Sequence, residues 1–167
     1  MSSVLDRLLK WLSIAELAVI VLCFVAMTSV LLADVGARTI FGSGVFGANY
    51  FALWFLILAA MLSFDVAVGR DAHLRPTVFD ALLPEAWDAT LRRLGNLLSA
   101  GIALLIVWGC WIFVGETRFF GETNPTVGMP LWPVQVPLVV GFGLSALRHL
   151  IYAVLPALAP AKAGAVE

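Results

Sequence analysis

The sequence predicts an all-α integral membrane protein with four transmembrane helices and a short amphipathic helix lying in the membrane plane. Composition is the first observation behind this prediction. Of the 167 residues, 62% are hydrophobic and 13% are charged, whereas a soluble domain has about 25% charged residues; the mean hydropathy is +1.00. The second observation is that four long stretches, 17–33, 39–64, 94–115 and 123–147, contain no charged residue. Each approaches or exceeds the roughly 20 residues that a helix needs to cross a bilayer.

These stretches place the spans at about 14–33, 48–68, 94–114 and 136–155, within a single membrane domain covering 1–167. Hydrocarbon offers no partner to backbone polar groups, so a crossing segment must satisfy them internally as a helix. The first stretch follows Arg7 and Lys10, as the apolar core of a secretory signal would. At about 20 residues it exceeds the 7–15 residues typical of such a core. We therefore expect an uncleaved first span.

Glu16 is the acidic residue of the first span, about one turn from its start. An acid within a membrane helix is a candidate proton or cation site. Because Glu16 lies close to the interface, a carboxylate that pairs with Lys10 or a lipid headgroup is the favoured interpretation. The loop at 34–47 has Arg38 as its basic residue, which we expect to contact a lipid phosphate, a partner or solvent.

Three spans carry small residues four positions apart, a pattern that lets membrane helices approach closely. The residues are Ala59, Ser63 and Ala67 in the second span, Gly95, Ser99 and Ala103 in the third, and Gly141 and Ser145 in the fourth. The pattern predicts helix packing without separating contacts inside the chain from contacts with another subunit. Four spans make a thin bundle, so we expect an additional subunit.

The central stretch 63–94 begins within the last turns of the second span and is rich in arginine. Asp65 near its start is expected to form a structural ion pair with Arg70 or Arg75. Leu83, Trp87 and Leu91 recur at helical spacing, which predicts an amphipathic segment at about 77–93 lying in the headgroup plane. A solvated loop with a short helix packed on the spans is the alternative.

Basic residues fix the expected orientation. Eight of the ten Lys and Arg residues lie before the first span, in the central loop or after the third loop, and only Arg38 and Arg118 lie in the first and third loops. Cytoplasmic loops carry the excess of basic residues. Both termini and the central loop are therefore predicted to be cytoplasmic.

No catalytic, cofactor-binding or metal-binding pattern stands out, so we do not expect an enzyme. The sequence has no motif of a serine hydrolase, zinc protease or phosphate-binding loop. Cys23 and Cys110 both fall in spans and lack the spacing of a metal site. His73 and His149 lie near span ends, which argues against a haem between facing helices. The net charge is −1 and no basic run favours nucleic acid.

Three places in the chain form a recognisable set. They are Arg38-Thr39-Ile40-Phe41 after the first span; Gly69-Arg70-Asp71-Ala72-His73-Leu74 with Asp80 after the second; and Met129-Pro130-Leu131-Trp132 with Pro137, Gly141 and Arg148. Together they resemble the small membrane (DctQ-like) subunit of tripartite ATP-independent periplasmic (TRAP) transporters. The first looks like that family's Arg-x-x-Phe, the second like its Gly/Arg…His-hydrophobic signature, and the third like its Pro-x-Trp…Pro…Gly…Arg ending. The chain departs from the family in having Asn49-Tyr50 where a Glu is frequent.

The resemblance implies a scaffold for a large, elevator-type subunit in sodium-coupled uptake of organic carboxylates delivered by a periplasmic binding protein. It implies a bacterial inner-membrane location and contacts with lipid. The candidate partner or lipid contacts are Arg38, Ala59, Ser63, Ala67, Arg70, His73, Arg75, Trp87, Gly95, Ser99, Ala103, Trp132 and Arg148. The alternatives are a self-sufficient four-span proton-coupled exporter, in which Glu16 is the working carboxylate, and the membrane anchor of a redox complex.

Overall fold

Four long helices form the part of the chain that the structure describes. The computed structural model describes residues 2–69 and 88–159. Its helices are α1 (Ser2–Phe41), α2 (Ala48–Gly69), α3 (Asp88–Phe119) and α4 (Trp132–Val154), followed by a short 3-10 helix at Pro156–Leu158. Each of the four is long and apolar enough to cross a membrane. The all-helical prediction with four candidate spans is therefore confirmed.

Helices α2 and α4 match the thickness of the bilayer core in length, whereas α1 and α3 exceed it. Helices α2 and α4 have 22 and 23 residues, which is about 33–35 Å at about 1.5 Å per residue. The hydrocarbon core is about 30 Å thick. Helices α1 and α3 have 40 and 32 residues, or about 60 and 48 Å. Each of these two is longer than the hydrocarbon core, so their ends reach the headgroup regions.

The helices form a row and not a closed bundle. Packed pairs are α1 with α2, α2 with α4, and α4 with α3, so the order across the molecule is α1–α2–α4–α3. Within residues 2–69 and 88–159, α1 and α3 do not pack together to close the row. We call the end with the connections 42–47 and 120–131 the loop end. The opposite end, with the start of α1 and the 3-10 helix, is the terminal end.

Burial follows position in this row. In the most apolar 18-residue stretch of each helix, the buried share of residues is 33% in α2 and in α4, 17% in α1 and 11% in α3. Helix α1 has a single stripe of buried and half-buried positions three or four residues apart, which faces α2: Glu16, Ile20, Cys23, Met27, Val30 and Asp34. The rest of its surface is left to lipid or to a partner.

The apolar core lies between α1 and α2, where Ile20 and Cys23 pack with Ala59, Leu62 and Val66. Helices α2 and α4 approach each other closely at Gly141. A Cβ atom placed there would lie 2.8 Å from Met61 Cβ and 2.9 Å from the Met61 carbonyl oxygen. Since that spacing leaves no room for a side chain, glycine sets the distance between these two helices.

Glycine and proline mark the helix ends. Gly42, with φ of 73°, ends α1, and its amide donates to the Arg38 carbonyl at 3.1 Å. A glycine with positive φ is the common terminator of a helix. The fourth helix begins one turn earlier than predicted, so Pro133 occupies its first turn and Pro137 lies inside it.

The amphipathic segment predicted at 77–93 is divided by the limits of the structure. Residues 88–93 form the first turns of α3, whereas 77–87, with Leu83 and Trp87, lie outside the described residues. The helix in the membrane plane stays a prediction.

Candidate functional site

Arg148 and Asp65 form the centre of a buried ionic cluster at the terminal end. Arg148 Nε donates to Asp65 Oδ1 at 3.2 Å and to Oδ2 at 3.1 Å, and Nη2 donates to Oδ2 at 2.6 Å. Paired hydrogen bonds between a guanidinium and a carboxylate fix the relative orientation of the two groups and also contribute energy. This ion pair joins α4 to α2 within the apolar bundle.

Helix α1 supplies the remaining members of the cluster. Arg148 Nη2 also donates to Glu16 Oε2 at 2.9 Å, and Nη1 donates to Ser13 Oγ at 3.0 Å. Ser13 and Glu16 are three residues apart, so both lie on the same face of α1. We call Ser13, Glu16, Asp65 and Arg148 the arginine cluster. It connects three helices through one side chain.

The three charged residues of the arginine cluster are almost completely shielded from solvent, and Ser13 is half-buried. Exposed fractions are 0% for Asp65, 2% for Arg148 and 3% for Glu16. Within the described residues Glu16 Oε1 is buried and accepts no hydrogen bond. A buried polar atom without a partner is costly, so this oxygen distinguishes Glu16 from Asp65, both of whose oxygens are used.

Two neighbours shape the space around the guanidinium. At Gly69, the last residue of α2, a Cβ atom would lie 3.1 Å from Arg148 Cζ, so the absence of a side chain lets the arginine reach Asp65. Tyr152 is 5% exposed and its side chain interacts with Arg148 from one turn further along α4.

The predicted partners of the two acids need correction. Lys10, expected beside Glu16, pairs instead with Asp6 at 2.8 Å on the exposed side of α1. Arg148 takes the role that was expected of Arg70 or Arg75 for Asp65; those two arginines lie outside the described residues. Arg148 was expected to contact a partner or lipid, yet it is buried within the chain.

One signal in the sequence pointed to the cluster. Arg148 closes the uncharged stretch 123–147, Asp65 closes 39–64, and Glu16 precedes 17–33. All three therefore lie at comparable depth near the same end of their spans. Pairing charges by depth, and not by distance along the chain, would have joined them.

A second polar contact at the terminal end joins α3 to α4. His149 Nδ1 lies 3.0 Å from Asn96 Oδ1, and Asn96 Nδ2 donates to the Arg92 carbonyl at 3.0 Å. Polar contacts between membrane helices contribute modestly to their association. With the arginine cluster, this contact gives every helix a polar tie at the terminal end.

Arg38 is held at the loop end by its own helix. Arg38 Nε donates to Asp34 Oδ2 at 2.9 Å, and the Val45 amide donates to Asp34 Oδ1 at 2.7 Å. A Cβ atom at Gly44 would lie 2.8 Å from Arg38 Nε, so glycine lets the connection fold back over the ion pair. Arg38 remains 60% exposed, which leaves its outer edge accessible.

The longer connection, 120–131, is an ordered turn. The Asn124 amide donates to the Met129 carbonyl at 2.8 Å, and the Gly128 amide donates to the Asn124 carbonyl at 2.8 Å. Asn124 Oδ1 accepts from the Thr126 amide at 2.9 Å. The Tyr50 hydroxyl donates to the Pro130 carbonyl at 3.2 Å, which ties this turn to the start of α2.

The described residues line grooves on the surface. One groove, of about 420 Å³, is at the loop end between Arg38, Tyr50, Leu53 and Asn124. Another, of about 300 Å³, lies between α2, α3 and α4 and is lined by Phe64, Ser99, Phe142 and His149, among others. The lining of this second groove is mainly apolar.

Two residues of the small-residue stripes predicted in the second and third spans are buried within the chain. Ala59 is 1% exposed and lies in the core with Ile20, and Ala103 is 6% exposed. Of the remaining predicted contacts, Ser63, Ala67, Ser99 and Trp132 are half-buried and Gly95 is exposed; the Arg118 guanidinium lies 5.4 Å from the Trp132 ring centroid. Arg70, His73, Arg75 and Trp87 lie outside the described residues.

Comparison with known protein families gives a match over most of the chain. A family model described as "Tripartite ATP-independent periplasmic transporters, DctQ component" matches residues 27–158. The match includes Asp65 and Arg148 and begins after Ser13 and Glu16. A search of curated proteins found no significant match.

Proposed function

Since the chain belongs to the family of DctQ components of TRAP transporters, we propose that it is a scaffold subunit for sodium-coupled uptake of an organic carboxylate. The family match over residues 27–158 carries this proposal. The proposed partners are a large multi-span subunit, which moves the substrate by an elevator motion, and a periplasmic binding protein that delivers it. The proposed location is the bacterial inner membrane.

The distribution of charge supports a role without a substrate site of its own. A carboxylate substrate at mid-depth needs a cation or a helix N-terminus as its partner. The stretches 17–33, 39–64, 94–115 and 123–147 contain no charged residue. Arg148, the buried cation at the terminal end, is bonded to Glu16 and Asp65. The exporter alternative requires Glu16 to face a cavity, and this contact argues against it.

The outer face of α3 is the proposed docking surface for the large subunit. Helix α3 is an edge helix, and Ala100 and Ala103 form its buried side against α4. On the opposite side Leu98 and Leu105 are each 67% exposed, and a Cβ atom at Gly101 would meet nothing within 4 Å. A glycine between large apolar side chains lets another membrane helix approach closely.

Reconstitution tests the proposed function. The large subunit and binding protein, in lipid vesicles with an inward sodium gradient, should take up a carboxylate only when this chain is present. Vesicles with this chain alone provide the control and should show no uptake. Full uptake without this chain would contradict the scaffold role, and uptake by this chain alone would favour the exporter.

Two matched substitutions on α3 test the docking surface. Gly101→Leu fills the outer face and should lower co-purification with the large subunit, while the melting temperature of the isolated chain stays unchanged. Ala103→Leu overfills the inner face and should lower that melting temperature. If Gly101→Leu co-purifies as well as the wild type, the large subunit docks elsewhere.

A further inference from the structure

The arginine cluster has more acidic than basic groups. Glu16 and Asp65 are two carboxylates, and both accept from the same Arg148 nitrogen, Nη2. Among the described residues, Arg148 is the cation in contact with either acid. With both acids ionised, the cluster would carry a net negative charge in a buried site. Ionised groups in such a site are stable only when they are paired and hydrogen-bonded.

The two carboxylates are not equivalent. Asp65 accepts three hydrogen bonds from Arg148, and both of its oxygens take part. Glu16 accepts one, at Oε2, and its buried Oε1 has no partner within the described residues. Hydrogen bonds to a charged group favour the charged form, and two acids that share a site favour protonation of one of them. A negative charge on Asp65 is therefore stabilised by more hydrogen bonds than a negative charge on Glu16.

We propose that the arginine cluster is a proton-binding site in which Glu16 carries the proton at neutral pH while Asp65 and Arg148 stay ionised. The proton lies on the Glu16 carboxyl group, which is in contact with Asp65, and Glu16 Oε2 continues to accept from Arg148 Nη2. Uptake of the proton from water at the terminal end makes the cluster neutral. The groups that face Glu16 directly are Asp65 and Arg148; Ser13 from α1 and Tyr152 from α4 contact Arg148 beside it. Asp6 and Lys10, further toward the start of α1, pair with each other.

Infrared spectroscopy of the full-length chain in lipid bilayers detects this proton directly. At neutral pH, exposed Asp and Glu side chains are ionised, since their ordinary pKa values are about 4. The carbonyl stretch of a protonated carboxylic acid should therefore be present in the wild type and absent in Glu16→Gln. Asp6→Asn is the matched control and should retain the band, because Asp6 is part of an exposed ion pair.

Stability of the variants provides the second measurement. Glu16→Gln resembles the neutral acid in shape and charge, so its melting temperature at neutral pH should equal that of the wild type. Asp65→Asn removes the charge that Arg148 requires and should lower the melting temperature strongly. The wild type, but not Glu16→Gln, should lose stability as the pH is raised, because the folded state holds a proton that the unfolded state releases.

Three results overturn the proposal. The first is a wild-type spectrum without the acid band at neutral pH, as expected if Arg70 or another cation provides a second positive charge. The second is a band that persists in Glu16→Gln, which places the proton on another residue. The third is a loss of stability in Glu16→Gln as large as that in Asp65→Asn, because Glu16 is then an ionised partner of Arg148.

Discussion

Arg148 shows how one residue stabilises a membrane protein that has little apolar driving force. Lipid is as apolar as a leucine side chain, so helix association depends on close packing and polar contacts. Arg148 bonds to Ser13, Glu16 and Asp65 and thereby joins α1, α2 and α4. The same residue is costly to bury, and it is tolerated because its charge and its donors are used.

Replacing Arg148 should be the most damaging substitution within the cluster. Arg148→Met leaves Asp65 buried without a cation and should destabilise the chain by about 3–5 kcal/mol. Arg148→Lys keeps the charge but loses the paired geometry and should have an intermediate effect. Thermal unfolding in detergent measures both.

Lys10→Met is the control for that experiment. Lys10 also pairs with an acid, but its side chain is 71% exposed, and exposed ion pairs contribute little. The melting temperature of the Lys10→Met variant should stay close to that of the wild type. Equal losses in Arg148→Met and Lys10→Met would mean that burial of the cluster contributes nothing to stability.

At the scale of helices, Gly141 determines how closely α2 and α4 approach. Gly141→Ala should lower the melting temperature, because the new Cβ atom would lie 2.8 Å from Met61 Cβ and the two backbones must separate. Gly143→Ala is the matched control. It lies on the same helix with nothing within 4 Å of its Cβ position, and alanine has the higher helix propensity by about 1 kcal/mol.

The comparison of these two glycine variants decides between packing and propensity. If Gly141→Ala is as stable as Gly143→Ala, the α2–α4 contact is more compliant than the structure indicates. Cross-linking of cysteines introduced on α2 and α4 would then show whether the spacing between the helices has changed.

The sequence indicated the helices better than it indicated their arrangement. Uncharged stretches such as 17–33 predict spans because the cost of charge in hydrocarbon acts locally along the chain. The order α1–α2–α4–α3 depends on contacts between distant residues, for instance Gly141 with Met61. The small-residue pattern predicted close packing at Ala59 and Ala103 but could not say which helix would meet them. Arg148 was missed as the partner of Asp65 because nearness along the chain favoured Arg70 and Arg75.

For the whole molecule, orientation is the property that the distribution of basic residues predicts. Eight basic residues lie on the side of the termini and two on the side of the loop end, so the loop end should face the periplasm. Single cysteines at Ser43, Thr90 and Thr123, in a chain without Cys23 and Cys110, test this. All three positions are exposed. An impermeant thiol reagent should label Ser43→Cys and Thr123→Cys in intact cells and Thr90→Cys only after lysis.

Lysed cells serve as the control, because all three cysteines should then react. Labelling of Thr90→Cys in intact cells, with Ser43→Cys silent, would reverse the orientation. The predicted cytoplasmic location of both termini would fail with it.

The four helices form a single layer whose helices are joined by polar contacts at both ends. Two contacts oppose sliding of α2 against α4 along the membrane normal. One is between Arg148 and Asp65 at the terminal end, and the other is between the Tyr50 hydroxyl and the Pro130 carbonyl at the loop end. Within the described residues no second layer backs the first, so resistance to bending of the row depends on the contacts of Arg148 with α1 and α2 at the terminal end. We expect such a layer to hold its depth in the bilayer and to bend most easily away from the Arg148 contacts.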